Sequence, residues 1–148
     1  ATGLKWGALR TWVMAGCLGS CLALLAIASL GTIGPGAPLT VAVVALGFFN
    51  GMFAVAAIGS MMALAGAGRE RREGTRMGLW GAAQAIAAGF GGLTGAALVD
   101  VFRMTSLTTS QSFGLVFVFE AALFIAAAFM AAQVMERGMT RRALVPGE

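Results

Sequence analysis

Apolar residues fill this chain in four long runs divided by short polar joints, and each run has the length of a bilayer crossing. An α-helix rises about 1.5 Å per residue and the hydrocarbon core is about 30 Å thick, so roughly 20 apolar residues span it. Thr11 to Ile33 is uncharged and ends at Gly34, Pro35, Gly36 and Pro38, where proline cannot continue a helix. Leu39 to Gly68 stays uncharged for 30 residues. That is about 15 Å more than the hydrocarbon requires, so this helix must tilt, kink or overrun the lipid. Met77 to Val99 is the third run and Phe113 to Val134 the fourth. A dense polar loop around Arg72 precedes the third run. Val101 to Ser112, with Thr105, Ser106, Thr108, Thr109, Ser110 and Ser112, reads as a polar outer loop before the fourth. The pattern predicts an all-α integral membrane helical bundle, a single domain of four transmembrane helices over about residues 11–33, 39–66, 77–99 and 113–134. The basic start, Ala1 to Arg10, precedes an apolar run too long for a secretory signal and without a small-residue cleavage site, so it reads as a cytoplasmic lead-in.

Composition supports this reading, and charge orients it. Of 148 residues, 59% are hydrophobic and only 11% charged, and the mean hydropathy is +0.88. A net charge of +4 could suggest nucleic acid, but with four crossings every basic residue except Arg103 falls on one side of the membrane. That is the positive-inside distribution. It places both termini and the loop carrying Arg69, Arg71, Arg72 and Arg76 in the cytoplasm, with lipid and not a polyanion as the surrounding partner. Trp6, Trp12 and Trp80 then lie near the same interface, where an amphipathic indole is favoured.

The third run is crowded with small residues. Gly81, Ala85 and Gly89 form one row, Ala88, Gly92 and Ala96 the next, and Gly91 with Gly95 adds a GxxxG pair. Such rows let another backbone come close, where dispersion contacts replace the hydrophobic effect that lipid cannot supply. The second run has a GxxxG of its own at Gly47 and Gly51, beside Asn50. The faces of the second and third runs are therefore expected to meet each other, or to receive a flat apolar ligand or a partner helix.

Three polar side chains interrupt the spans. Glu120 lies well inside the fourth, where a charged carboxylate is costly, so it either serves as a proton-linked or ligand-holding acid or is hydrogen-bonded to a neighbouring helix or to Arg103. Gln84 and Asn50 offer the same choice between a site and an interhelical hydrogen bond, worth about 1 kcal/mol. The three stand at different depths and do not form one constellation. Histidine and tyrosine are absent, which removes the commonest metal ligand and general base. No nucleophile–base pair, hydrolase carboxylate pair or phosphate loop can be assembled, so no enzyme and no metal site is expected. Cys17 and Cys21, one helical turn apart in an apolar run, read as packing residues.

The segment Gly74 to Ala85, GTRMGLWGAAQA, closely resembles part of the PucC family, also described as bacteriochlorophyll delivery proteins of the major facilitator superfamily. The likeness continues through Gly89, Gly91, Gly92 and Gly95 to the acid of VFVFEAALF, Glu120. In that family the matching helix is the eleventh of twelve, so the resemblance implies that these spans correspond to helices nine to twelve. It implies a factor for assembling light-harvesting antenna complexes in a bacterial inner or intracytoplasmic photosynthetic membrane. Its implied partners are antenna polypeptides and bacteriochlorophyll or the enzymes that make it. Without histidine, a pigment magnesium would take an oxygen ligand from Glu120, Gln84, Asn50, a backbone carbonyl or water. Alternating access needs two opposed bundles, and the chain opens without methionine, so it is expected to be the C-terminal part of a longer protein. Two other readings stay open: a proton-coupled transporter of a small solute, with Glu120 titrating, and a structural subunit held beside an antenna ring by its glycine faces.

Overall fold

The computed structural model describes the backbone of residues 2–34, 36–65 and 73–143, and the side chains of 9–34, 36–62, 74–75 and 77–133. Four helices follow one another: α1 (Thr2–Ile33), α2 (Leu39–Ala65), α3 (Glu73–Arg103) and α4 (Thr109–Ala143). Each contains a segment long and apolar enough to cross a membrane, and the described residues contain no strand. The expected loop residues Arg69, Arg71 and Arg72 lie outside the described residues, as does the side chain of Arg76, whose backbone belongs to α3.

Local chemistry sets the joints. Gly34 follows the last residue of α1 with φ +99°, and Gly36 has φ +128°, backbone states that glycine adopts without a Cβ penalty. Pro38 then opens α2, its carbonyl accepting from the N–H groups of Val41 and Ala42. The expected outer loop Val101 to Ser112 is shorter than its polarity suggests, because α3 continues to Arg103 and α4 begins at Thr109. A capping box accounts for the early start of α4. The Thr108 N–H donates to Gln111 Oε1 at 2.9 Å, and the Gln111 N–H donates to Thr108 Oγ1 at 3.3 Å. Thr109, Ser110 and Ser112, which read as loop, thus form the first turn of a helix, while Thr105 and Ser106 stay in the joint, and Ser112 Oγ donates back to the Thr108 carbonyl.

The bundle is built around α1, not around the glycine-rich third span. α1 packs along both α2 and α4, whereas α3 touches α2 and α4 only lightly and makes no contact with α1 among the described residues. Within the membrane-length windows, 56% of α1 is buried against 6% of α3. The α1–α2 seam is tight because small residues on one helix face aromatic ones on the other. A Cβ on Gly16 would lie 2.8 Å from the Phe53 backbone nitrogen, and one on Gly19 would fall within the Phe49 ring. Phe53 of α2 and Phe124 of α4 meet edge-to-face, 6.5 Å between centroids and at 85°. Both flank the core of Val13, Cys17, Ala56 and Ala128, and Cys21, Leu24 and Ala121 continue that core beside Leu46 and Phe117. The two cysteines are free and buried, packing residues as expected. Buried Ser60 satisfies its hydroxyl on the Ala56 carbonyl at 2.8 Å, whereas Ser20, fully buried in α1, finds no hydrogen-bond partner among the described residues.

Of the alternatives open to the small-residue faces of the second and third spans, contact with each other through these glycines is not made among the described residues. A Cβ on Gly47, Gly51, Gly81, Gly89, Gly91, Gly92 or Gly95 would meet nothing within 4 Å. Gly47 and Gly51 instead border an apolar cleft of about 660 Å³ beside Trp12 and Phe48, and Asn50 is exposed. The side-chain pattern supplies the reason. Close approach in this fold needs a small residue opposite a large one, and Phe49 and Phe53 already commit the inner face of α2 to the glycines of α1.

Candidate functional site

Among the described residues, most polar side chains that interrupt the spans are scattered. Asn50 points out from α2 and Gln84 from α3, both exposed, and neither joins a cluster with another candidate. Glu120 differs: it lines a groove of about 470 Å³ between α3 and α4 together with Gly91, Gly92, Gly95, Asp100, Arg103 and Phe117.

The groove follows from helical spacing. On α3, residues 92, 95, 96, 99 and 103 recur at steps of three and four and therefore share a face. On α4, residues 113, 116, 117 and 120 do the same. The hairpin closes where Val99 is buried, near the α3–α4 turn, and is open beside the glycines, which extend no side chain toward α4. Glu120 stands 11 residues beyond Thr109 and Gly92 stands 11 residues before Arg103, so both lie about 16 Å along their helices from the turn. Counting from Thr109 therefore puts the carboxylate deeper than the apolar run beginning at Phe113 suggests.

The result is a slot with one wall of backbone and small residues, one wall of Phe113, Val116 and Phe117, a carboxylate at depth, and Asp100 with Arg103 toward the turn. Glu120 is half-buried. Among the described residues no hydrogen bond or ion pair joins it to Arg103, though both line the same slot. Chemically the slot can accept a flat or helical apolar body and offers it the Glu120 carboxylate at depth, with Asp100 nearer the turn. Three His, Cys, Asp or Glu side chains placed to hold a metal ion are not found together among the described residues.

The structure thus brings Glu120 together with Gly91, Gly92 and Gly95. It leaves Gly81, Ala85, Ala88 and Gly89 exposed on the stretch of α3 farther from the turn, with Gln84 and Asn50 apart from the slot. Sequence reasoning missed the aromatic wall. Its signal is the spacing Phe113, Phe117, Glu120, which places two rings on the face of the acid.

A family model described as PUCC protein matches residues 1–139. A curated relative from Rhodobacter capsulatus, the "Bacteriochlorophyll synthase 44.5 kDa chain", is 64% identical over 141 residues, covering 95% of this chain and 32% of the relative. The chain therefore spans about a third of the length of the relative it matches. No solved structure matches it.

Proposed function

We propose, from the premise that this chain belongs to the PUCC protein family, that it acts in the membrane as an assembly factor for photosynthetic antenna complexes. In this role it delivers bacteriochlorophyll or holds antenna polypeptides while they assemble. The observation that carries the reading is the 64% identity, across nearly the whole chain, to a relative named for bacteriochlorophyll synthesis. The four membrane-length helices are consistent with it. In this reading the role is non-enzymatic, and what supports it is that the slot lining pairs Glu120 and Asp100 with Arg103 and apolar residues. The distribution of basic residues supports a bacterial photosynthetic membrane orientation with both ends in the cytoplasm.

The chemistry of the slot suits both cargoes. A flat macrocycle can lie against Gly91, Gly92 and Gly95, where no Cβ intervenes, and Glu120 offers the oxygen donor that magnesium favours. A partner helix fits the same small-residue wall. The second reading, a proton-coupled transporter of a small solute, rests on Glu120 alone, an acid inside a span.

Deletion of the coding sequence from a photosynthetic host tests the assembly role. Antenna absorbance per cell is expected to fall several-fold and to recover when the gene is restored. Antenna polypeptides or pigment should copurify with the chain in mild detergent. Normal antenna levels in the deletion strain would overturn the reading.

A further inference from the structure

Beside the α1–α2 seam lies the apolar cleft of about 660 Å³, bordered by Leu9 and Trp12 of α1 and by Gly47, Phe48, Gly51 and Met52 of α2. Its origin is a change of residue size along one stripe. Leu9, Trp12, Gly16 and Gly19 recur at steps of three and four on α1. At Gly16 and Gly19 the stripe admits Phe53 and Phe49. One turn earlier it presents the bulk of Trp12, and Gly47 and Gly51 extend no side chain to fill the space beside it. On α2 the lining runs from Gly47 to Ala56, a rise of about 14 Å, close to the hydrocarbon depth of a single leaflet.

One end of the cleft is basic. A Cβ on Gly59 would lie 3.5 Å from Leu9 Cδ2, so the start of α1 lies level with the last turns of α2. Lys5 stands one turn before Leu9 at a spacing that shares its face, and Arg10 follows Leu9 in sequence. Arg69, Arg71 and Arg72, with Glu70 among them, follow Ala65, the last residue of α2, by seven residues or fewer. The lining itself carries no charged side chain. An apolar slot one leaflet deep with cations gathered at its mouth suits an acidic lipid, whose headgroup is drawn to basic pockets between spanning helices. Trp12 is exposed, and an indole is favoured near headgroup level. A crossing helix would need about twice the depth of this cleft. A pigment magnesium would find no side-chain oxygen or imidazole in the lining.

We infer that the cleft holds one acyl chain of an acidic phospholipid, with its phosphate among Lys5, Arg10 and the arginines that follow α2. The acyl chain lies against Phe48 and Gly51, and Trp12 borders it on the α1 side. The inference does not depend on the antenna role.

Trp6→Phe with Trp80→Phe leaves Trp12 as the sole tryptophan of the full chain, so its fluorescence reports the cleft. The protein is reconstituted in phosphatidylcholine vesicles that contain the same minor fraction of either phosphatidylglycerol or phosphatidylcholine brominated on the acyl chains, where bromine quenches by contact. One basic residue near the surface is worth a preference of about fivefold for acidic lipid, so brominated phosphatidylglycerol is expected to quench Trp12 about fivefold more than brominated phosphatidylcholine. Lys5→Gln with Arg10→Gln should bring the two together. Gly51→Leu fills the cleft and should cut quenching by phosphatidylglycerol to the phosphatidylcholine level. A Cβ at Gly51 meets nothing within 4 Å, so this variant should melt with the parent. Native mass spectrometry of the chain with its tryptophans intact gives a second reading: a phosphatidylglycerol adduct that the parent retains and Gly51→Leu loses. Equal quenching by both lipids overturns the inference, as does a preference unchanged in Gly51→Leu. So does a Trp12 shielded from both lipids, since a protein segment then occupies the cleft, or a pigment adduct in place of phospholipid. None of these outcomes alters antenna yield in the deletion strain, so this inference and the assembly reading fail separately.

Discussion

Gly16→Leu is expected to lower the thermal midpoint of the chain in mild detergent by several degrees, whereas Gly81→Ala and Gly89→Ala should leave it unchanged or raise it. At Gly16 the first added carbon already lies 2.8–2.9 Å from the Phe53 Cβ, nitrogen and Cα. A backbone cannot swing aside as a ring can, so α1 and α2 must separate along their shared seam. Overpacking of this kind costs about 1–3 kcal/mol, and each kcal/mol is worth roughly 2–4 °C for a chain of this size. Gly19→Leu should cost less, because the atoms it meets belong to the rotatable Phe49 side chain. At Gly81 and Gly89 there is nothing within 4 Å, so only the helix-propensity gain of about 1 kcal/mol remains. The measurement is a thermal melt of each variant followed by helical circular dichroism. A Gly16→Leu protein as stable as the parent would show that α1 is not the centre of the bundle.

That contrast also marks how far the chain can be read without its structure. The four spans are legible because lipid imposes one requirement on a crossing segment, an unbroken run of apolar residues, and the runs here end at glycine, proline or charge. Packing is less legible, since these helices are apolar almost all round and no polar face says which side turns inward. The GxxxG pairs at Gly47/Gly51 and Gly91/Gly95 are a one-sided signal. They show that a helix can be approached closely but not that anything approaches. Among the described residues Gly16 and Gly19 are the glycines packed most tightly, and the clue to them lies on another helix, in Phe49 and Phe53 one turn apart. The expectation for Cys17 and Cys21 holds because apolar flanks on a buried helix are a local property. The slot is legible only in part. Glu120 stands out by charge, but its neighbours Gly92 and Phe117 become a wall only when α3 folds back on α4, and the early start of α4 depends on the Thr108–Gln111 capping box.

Glu120→Leu is expected to leave the amount of chain in the membrane unchanged or higher while lowering antenna absorbance about tenfold. The first half follows from lipid energetics. An acid at the centre of a spanning helix costs about 2.5–3.5 kcal/mol on insertion scales and leucine is favourable, so the variant inserts at least as readily as the parent. The second half follows from what is lost in the slot between α3 and α4. A hydrogen bond or ligand contact to a charged group is worth about 1.5–3 kcal/mol, a factor of roughly 10 to 150 in occupancy of the productive state. Glu120→Gln keeps an oxygen acceptor of the same reach, so antenna yield should fall only a few-fold. The same pair of variants separates the two functional readings. If the acid carries a proton during transport, Gln abolishes pH-dependent solute uptake as completely as Leu does, because neither can titrate. If it holds cargo or a partner for assembly, uptake is indifferent to both substitutions and antenna yield follows parent, Gln, Leu in descending order. Absorbance spectra of membranes, normalised to the immunoblotted amount of chain, read that order directly. Equal yields from all three would remove Glu120 from the assembly role.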